Sequence, residues 1–270
     1  MSIETLASKP AARRRIIYPD GDGKPMAESD PHISHIINLR EILRYWLRNE
    51  KLVYVGANMF LFYKEGFPKR RVSSDIFVAW GVSKNRRRSY KLWIEQHEPQ
   101  VIFEITSRKT QDEDLGTKRA IYARIGVSEY YLFDPYGHYL NPPLRGYQLA
   151  GEEYVLREVE TLPPPTFNGK DNDDTLTGWR LISERLKLEL WALPTGEADM
   201  PYILRFYDPA TGKWLSDPEQ AMVERELFEK QATEAEDKVK KEAKARQAAE
   251  AEVLRLKAEL EKLRNKSETN

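Results

Sequence analysis

Two carboxylates stand on runs that an apolar strand would bury. Glu104 interrupts Val101-Ile102-Phe103-Glu104-Ile105, and Asp75 lies in Ser74-Asp75-Ile76-Phe77-Val78-Ala79-Trp80, which is mostly β-branched or aromatic. An unpaired carboxylate buried on such a strand costs roughly several kcal/mol unless a cation or hydrogen-bond donors meet it. For one acid, a hydrogen-bonded structural role satisfies that condition. Two acids on strands able to be neighbours, with a lysine soon after, suit a divalent metal. Mg²⁺ (or Mn²⁺) takes hard oxygens and Mg²⁺ keeps several waters, so one or two carboxylates suffice from the protein. Asp75 and Glu104 could supply them, with the main-chain carbonyl of Ile105 as a third ligand. Such an ion would polarise a scissile phosphate and acidify a water. A nearby ammonium would orient or deprotonate that water and stabilise the developing charge. Lys118, on the helix expected after the Glu104 strand, is placed for this; the plain alternative is a surface lysine.

Other residues could support such a centre. Asp114 precedes Lys118 by four, so it either forms an i,i+4 ion pair or positions the lysine. Arg86-Arg87-Arg88, with Lys84 and Lys91 nearby and Lys69-Arg70-Arg71 before the strand, is locally basic, with Tyr90 and Trp93 interleaved. This loop could neutralise DNA phosphates, with affinity falling steeply in salt; a solvated loop is the alternative. Thr106 and Ser107 have no His close in sequence and no nucleophile elbow to make either a nucleophile. No glycine-rich phosphate cradle, helix-turn-helix or zinc finger is evident.

The elements that would position these residues follow from periodicity. Ser29-Asp30-Pro31 reads as a helix start, and Ile33, Ile36, Ile37, Leu39, Ile42, Leu43, Trp46 and Leu47 predict a helix over 31–48. Val53–Gly56 and Met59–Tyr63 read as strands flanking a turn; 74–80, 101–105 and 130–133 read as further strands, and 112–125 as a helix ended by Gly126. A hairpin is expected over 147–158, a loop over 161–175, and short strands within 179–191 and 202–214. The order describes an α/β core, helices flanking a mixed sheet. From Phe228 through Ala232, Ala235, Val239, Glu242, Arg246, Ala249, Val253, Leu256 and Leu260 to Leu263 the spacing alternates by four and three, a heptad seam. We read 1–15 as a flexible N-terminus, 16–215 as the globular domain and 216–270 as a coiled-coil tail through which the chain forms a homo-oligomer; a charge-laced single helix or a disordered tail is the alternative.

Bulk numbers narrow the class. The 270 residues carry 43 Lys+Arg against 43 Asp+Glu, so a generally basic nucleic-acid binder is not indicated, though a local basic strip is. With no cysteine there is no disulfide framework, thiol nucleophile, zinc ribbon or iron–sulfur cluster. No apolar leader and no apolar stretch of about 18 residues is present, so a cytoplasmic protein without membrane association is expected.

The blocks Phe103-Glu104-Ile105-Thr106-Ser107, Asp114-Leu115-Gly116-Thr117-Lys118 with Tyr122, and Gly126-Val127-Ser128-Glu129-Tyr130-Tyr131-Leu132-Phe133-Asp134-Pro135, with Asp75 upstream, resemble the Uma-two-type putative restriction endonuclease family of the PD-(D/E)XK nuclease superfamily. The segment Tyr18–Glu28, the hairpin about Gly146-Tyr147 and Gly151–Tyr154, and Tyr207-Asp208-Pro209 extend the likeness. It implies a restriction-endonuclease-like fold, with a four-stranded mixed sheet flanked by helices, and Mg²⁺-dependent hydrolysis of DNA phosphodiesters. Asp75 would stand for the motif Asp and Glu104 for the motif acid. Ser74 replaces the usual Pro, and Thr106 stands where the superfamily name has Lys; Lys118 matches a helix lysine that takes that role in this family. His32 matches a His at the first helix start, either supporting the site or contacting phosphate, or only capping the helix. The other reading is a catalytically silent DNA-binding or assembly module retaining the fold.

Overall fold

The computed structural model describes residues 16–21, 29–165 and 177–267. The expected N-terminal tail over 1–15, Glu28 and much of the 161–175 loop lie outside the described residues. The chain divides into two units, 1–217 and 218–270.

The first unit opens with α1 (Asp30–Trp46), with Pro31 in its first turn where a missing N–H costs nothing. It continues as a single 3₁₀ turn, Leu47–Asn49. Ile36, Leu39, Ile42 and Leu43 form its buried stripe. Then come β1 (Val53–Phe62), β2 (Arg71–Trp80), β3 (Tyr90–Lys91), α2 (Leu92–Glu95) and β4 (Val101–Ile105). A π-helical turn, Glu113–Lys118, leads into α3 (Arg119–Arg124), followed by β5 (Glu129–Phe133), β6 (Leu144–Ala150) and β7 (Glu153–Leu156). These strands form one seven-stranded sheet in the order β3-β1-β2-β4-β5-β6-β7. Strands β4 and β5 run parallel across the π turn and α3, while β1/β2, β2/β4 and β5/β6 are antiparallel. The mixed sheet flanked by helices is as expected, with three more strands than the resemblance implies. One local expectation is corrected. Residues 53–62 are a single strand, because Asn58 takes a positive φ of 45° within the strand without ending it.

A second, five-stranded sheet packs against one face. It comprises β8 (Glu160–Leu162), β9 (Gly178–Ser183), β10 (Leu188–Pro194), β11 (Tyr202–Asp208) and β12 (Lys213–Trp214), ordered β12-β11-β10-β9-β8. Strand alternation sends Phe103, Ile105 and Tyr131 into a core shared with α1 and with Leu190 and Phe206 of this sheet. Ile102, Tyr130 and Leu132 point the other way, into a core with Tyr122 and Val127. Glu129 ties the sheets together: its buried carboxylate accepts from Tyr131 Oη at 3.1 Å, from the Arg185 N–H at 2.9 Å and from Ser183 Oγ at 2.5 Å.

His35 shows what this packing does to a titratable group. Its Nδ1 donates to the Pro31 carbonyl at 2.9 Å, and its ring stacks on Phe133 at 5.3 Å. Burial pushes its pKa below the ordinary 6.5, with neighbouring His32 acting the same way. A lowered histidine pKa means the unfolded chain binds the proton more readily. The stability that neutral His35 contributes is therefore present above pH 6.5 and lost as the pH falls, at up to about 1.4 kcal/mol per pH unit. Urea unfolding at pH 7.5 and 5.5 should show a smaller acid loss in His35→Asn than in the wild type.

The second unit is one helix, α4 (Pro218–Ser267). Among the described residues no helix is long and apolar enough to cross a membrane.

Candidate active site

Strands β2 and β4 pair through Ile76↔Phe103, Phe77↔Ile102 and Val78↔Val101, and one further step sets Asp75 opposite Glu104. There the backbone ladder gives way to side chains. The Asp75 N–H donates to Glu104 Oε2 at 3.3 Å, and the Ile105 N–H donates to Asp75 Oδ2 at 2.7 Å. Each acid thus receives the main-chain donor that the other strand leaves over. Glu104 is 0% exposed, whereas Asp75 is half-buried.

Like charges opposite one another on a sheet repel; α3 and the turn before it supply the answer. Asp114, Lys118 and Tyr122 are spaced by four and form one stripe. Lys118 Nζ lies 2.8 Å from Glu104 Oε2 and 2.9 Å from Asp114 Oδ1. Tyr122 Oη donates to Glu104 Oε1 at 2.6 Å, and Tyr130 Oη donates to the Asp114 carbonyl at 2.9 Å. The π-helical turn carries both Asp114 and Lys118; turns of this kind are frequent at functional sites.

The charge balance is uneven: three carboxylates around one ammonium. Burial pushes Glu104 well above its ordinary pKa, Lys118 pulls it back, and Asp75 and Asp114 push it further up. Asp114 is raised in the same way by burial, against the pull of Lys118. For Lys118 burial acts downward, but Glu104, Asp75 and Asp114 together hold it above the usual lysine value. The acids around Lys118 thus favour its charged form.

The remaining candidates lie apart from this cluster or beside it. Thr106 follows two residues after Glu104; its N–H donates to the Phe133 carbonyl at 2.7 Å, and its buried Oγ1 has no partner among the described residues. His32 is buried on α1, the helix covering the other face of the sheet. Arg87 is engaged by Glu95 through two bonds of 2.8 Å and lies over the Tyr54 ring at 4.4 Å. Arg88 Nε donates to Asp20 Oδ2 at 2.6 Å, and Arg86 is exposed. Pattern alone puts Tyr122 only in the block that resembles the family and Tyr130 only on a strand; the four-residue spacing of Asp114, Lys118 and Tyr122 is the signal that draws Tyr122 into the site.

The donor set can be tested against Mg²⁺. Among the described residues no three His, Asp or Glu side chains converge to hold a metal by themselves. Two carboxylates are enough for an ion that keeps its waters. A carboxylate offers about four acceptor positions; Glu104 uses three of them, and Asp75 Oδ1 has no partner among the described residues. Hard oxygens with spare lone pairs, in a cluster short of positive charge, fit the ion.

A family model described as "Uma2: Putative restriction endonuclease" matches residues 4–176. No curated protein matches the sequence. Among solved structures the chain is similar to a putative nuclease belonging to DUF820 from Anabaena variabilis, at 12% identity and a TM-score of 0.37 over 55% of this chain and 79% of that one; a likeness this low adds nothing to the assignment. The family model alone spans more than half of the sequence, and this protein belongs to the Uma2 family of putative restriction endonucleases.

Proposed function

We propose that the chain is a Mg²⁺-dependent endonuclease hydrolysing DNA phosphodiester bonds, with Asp75, Glu104 and the Ile105 carbonyl holding the ion. The observation that carries this is the cluster itself: three acids, one ammonium, and two of the acids crossing their strands' hydrogen bonds. Bound there, Mg²⁺ would supply the charge that polarises a phosphoryl oxygen and acidifies a water. Lys118 would assist the attacking water and stabilise negative charge developing on the phosphate. Tyr122 fixes the Glu104 carboxylate from behind, and Asp114 fixes Lys118. The silent-module reading drew on Thr106 standing in the usual lysine position; an ammonium 2.8 Å from Glu104 supports the catalytic reading instead. The test is cleavage of supercoiled plasmid with Mg²⁺ by wild type, Asp75→Asn and Lys118→Met. Cleavage in the wild type alone is expected. Equal cleavage by all three removes the assigned site, and DNA binding without cleavage under Mg²⁺ or Mn²⁺ favours the silent module.

DNA has a suitable approach. A cleft of about 760 Å³ lies between α1 and the outer edge of β1, lined by Arg40, Arg44, Arg48, Lys84, Arg86 and Arg87. Asn58 also lines it, and the pairs Ala57↔Ile76 and Met59↔Ser74 bracket Asn58 opposite Asp75. The cleft thus begins one strand away from the acids along the sheet, on the α1 side, while Glu104 turns to the opposite face with Tyr122. Arg40 and Arg44 share Glu41, and Arg87 is engaged by Glu95, so Arg48, Lys84 and Arg86 are the lining cations with no carboxylate partner among the described residues. Arg86→Ala and Arg48→Ala should each weaken DNA binding and reduce the slope of log affinity against log salt by about one, as fluorescence anisotropy at several salt concentrations would show. We also take α4 to mediate self-association, in the form argued next.

A further inference from the structure

Helix α4 is uninterrupted over 50 residues, about 75 Å at 1.5 Å per residue. Every described side chain from Ala221 to Lys257 is exposed. These include Phe228 at 71%, Val239 at 65%, Val253 at 51% and Leu256 at 48%. A lone helix gains little from propensity and most from burying an apolar face, so this stripe calls for a partner.

We propose that α4 pairs with α4 of a second copy of the chain as an antiparallel two-stranded coiled coil. In its register, facing seam residues have numbers summing to 488, and the twofold axis passes beside Lys244. The argument is charge and volume complementarity along the seam. In this register Ala232 faces Leu256 of the partner subunit, Ala235 faces Val253 of the partner subunit, and Val239 faces Ala249 of the partner subunit. Every alanine meets a larger residue, which is how facing core layers fill evenly. The two polar seam residues also meet: Glu242 faces Arg246 of the partner subunit, and the twofold repeats the pair.

The alternatives fail at the same positions. A parallel pair stacks Glu242 on Glu242, Arg246 on Arg246 and three alanines on themselves, which leaves like charges and gaps in the core. Sliding the antiparallel register one heptad either way sets Glu242 against Val239 or Val253 and Arg246 against an alanine. The flanks favour the chosen register too. Lys238 faces Glu252 of the partner subunit, and Glu229 faces Lys257 of the partner subunit. The one unfavourable flank sets Glu236 against Glu250 of the partner subunit. Glu250 there also accepts from Arg246 of its own helix, as it does here at 3.0 Å.

The geometry separates the two Pro218 residues by about 78 Å. The globular units would attach at opposite ends of the rod. This inference does not rest on the nuclease reading, and its test does not use activity.

The chain contains no cysteine, so introduced thiols report alone. Full-length Ala232→Cys and Leu256→Cys proteins would be treated with a short bis-maleimide, separately and after mixing. The mixture should give the 232–256 cross-link, at least tenfold over either like-residue product by peptide mass spectrometry. Each variant alone should stay uncrosslinked, because like residues lie about 36 Å apart. Efficient cross-linking of Leu256→Cys with itself overturns the orientation. A monomer, trimer or larger species in sedimentation equilibrium of the wild type overturns the pairing. Glu242→Arg should raise the dimer dissociation constant at least tenfold, and adding Arg246→Glu should restore it. An unchanged constant in Glu242→Arg, with helicity retained by circular dichroism, also overturns the register, because a parallel pair only exchanges one like-charge contact for another.

Discussion

Glu104→Gln is expected to lower Mg²⁺-dependent cleavage about a thousandfold or more while leaving the melting temperature unchanged or raised. The substitution removes a charge and keeps the shape. Tyr122 Oη, 2.6 Å away, can still donate to the amide oxygen, and Lys118 keeps Asp114 at 2.9 Å. What disappears is a fully buried negative charge beside two other carboxylates, whose ionised form burial already disfavours. Relieving that cost offsets the two hydrogen bonds lost at Oε2, from Lys118 and from the Asp75 N–H. A residue that holds the reacting centre at the expense of the fold behaves in this way, a stability–activity trade-off. Single-turnover nicking and thermal melts on the same preparations check both halves. Wild-type activity in the variant ends the assignment of Glu104. Lost activity with a collapsed melting temperature makes Glu104 a scaffold residue.

The family assignment and the mixed sheet were legible because their signals are local. An acid inside Val101–Ile105 and another before Ile76-Phe77-Val78 stand out against strand periodicity, and their mutual pairing needed only that β2 and β4 be neighbours. The partners of these acids were harder to read. Tyr122 shows only as part of the family-like block, since spacing does not record where a hydroxyl points. Arg87 shows as part of a free basic strip because its partner, Glu95, follows eight residues later across an irregular loop and a short helix. Asn58 looks like a turn in its tripeptide context, yet nine register pairs with β2 carry the strand through it. The strands after residue 177 were visible individually, but nothing in alternation says whether they extend the first sheet or form a second. That is decided by contacts distant in sequence, such as the edge-to-face pair of Phe103 and Phe206 at 5.8 Å.

Lys118→Met is expected to destabilise the globular unit by about 3–5 kcal/mol at pH 7.5 and to abolish cleavage. The methionine fills much of the lysine stem's volume, so the loss is chiefly electrostatic. Glu104 and Asp114 are both buried and both rely on Lys118 to hold their pKa values down against burial. Without it, their folded-state values rise further above the ordinary 4.5 and 3.8. For a carboxylate raised in the folded state, folding binds protons that the unfolded chain releases. The stability so contributed is complete below the unfolded pKa and is lost as pH rises through the folded one. The deficit of the variant should therefore be largest at neutral and alkaline pH and shrink as the pH falls towards 4.5. Wild-type Lys118 acts in the opposite direction only above its ordinary value of 10.5, outside that range. Adding Asp114→Asn to Lys118→Met removes one of the stranded charges and should recover part of the stability at pH 7.5, without recovering cleavage. Urea unfolding of the wild type, Lys118→Met and the double variant at pH 7.5 and 5.0 measures this. A pH-independent deficit, or one below about 1 kcal/mol, would mean that Lys118 is a solvated surface charge.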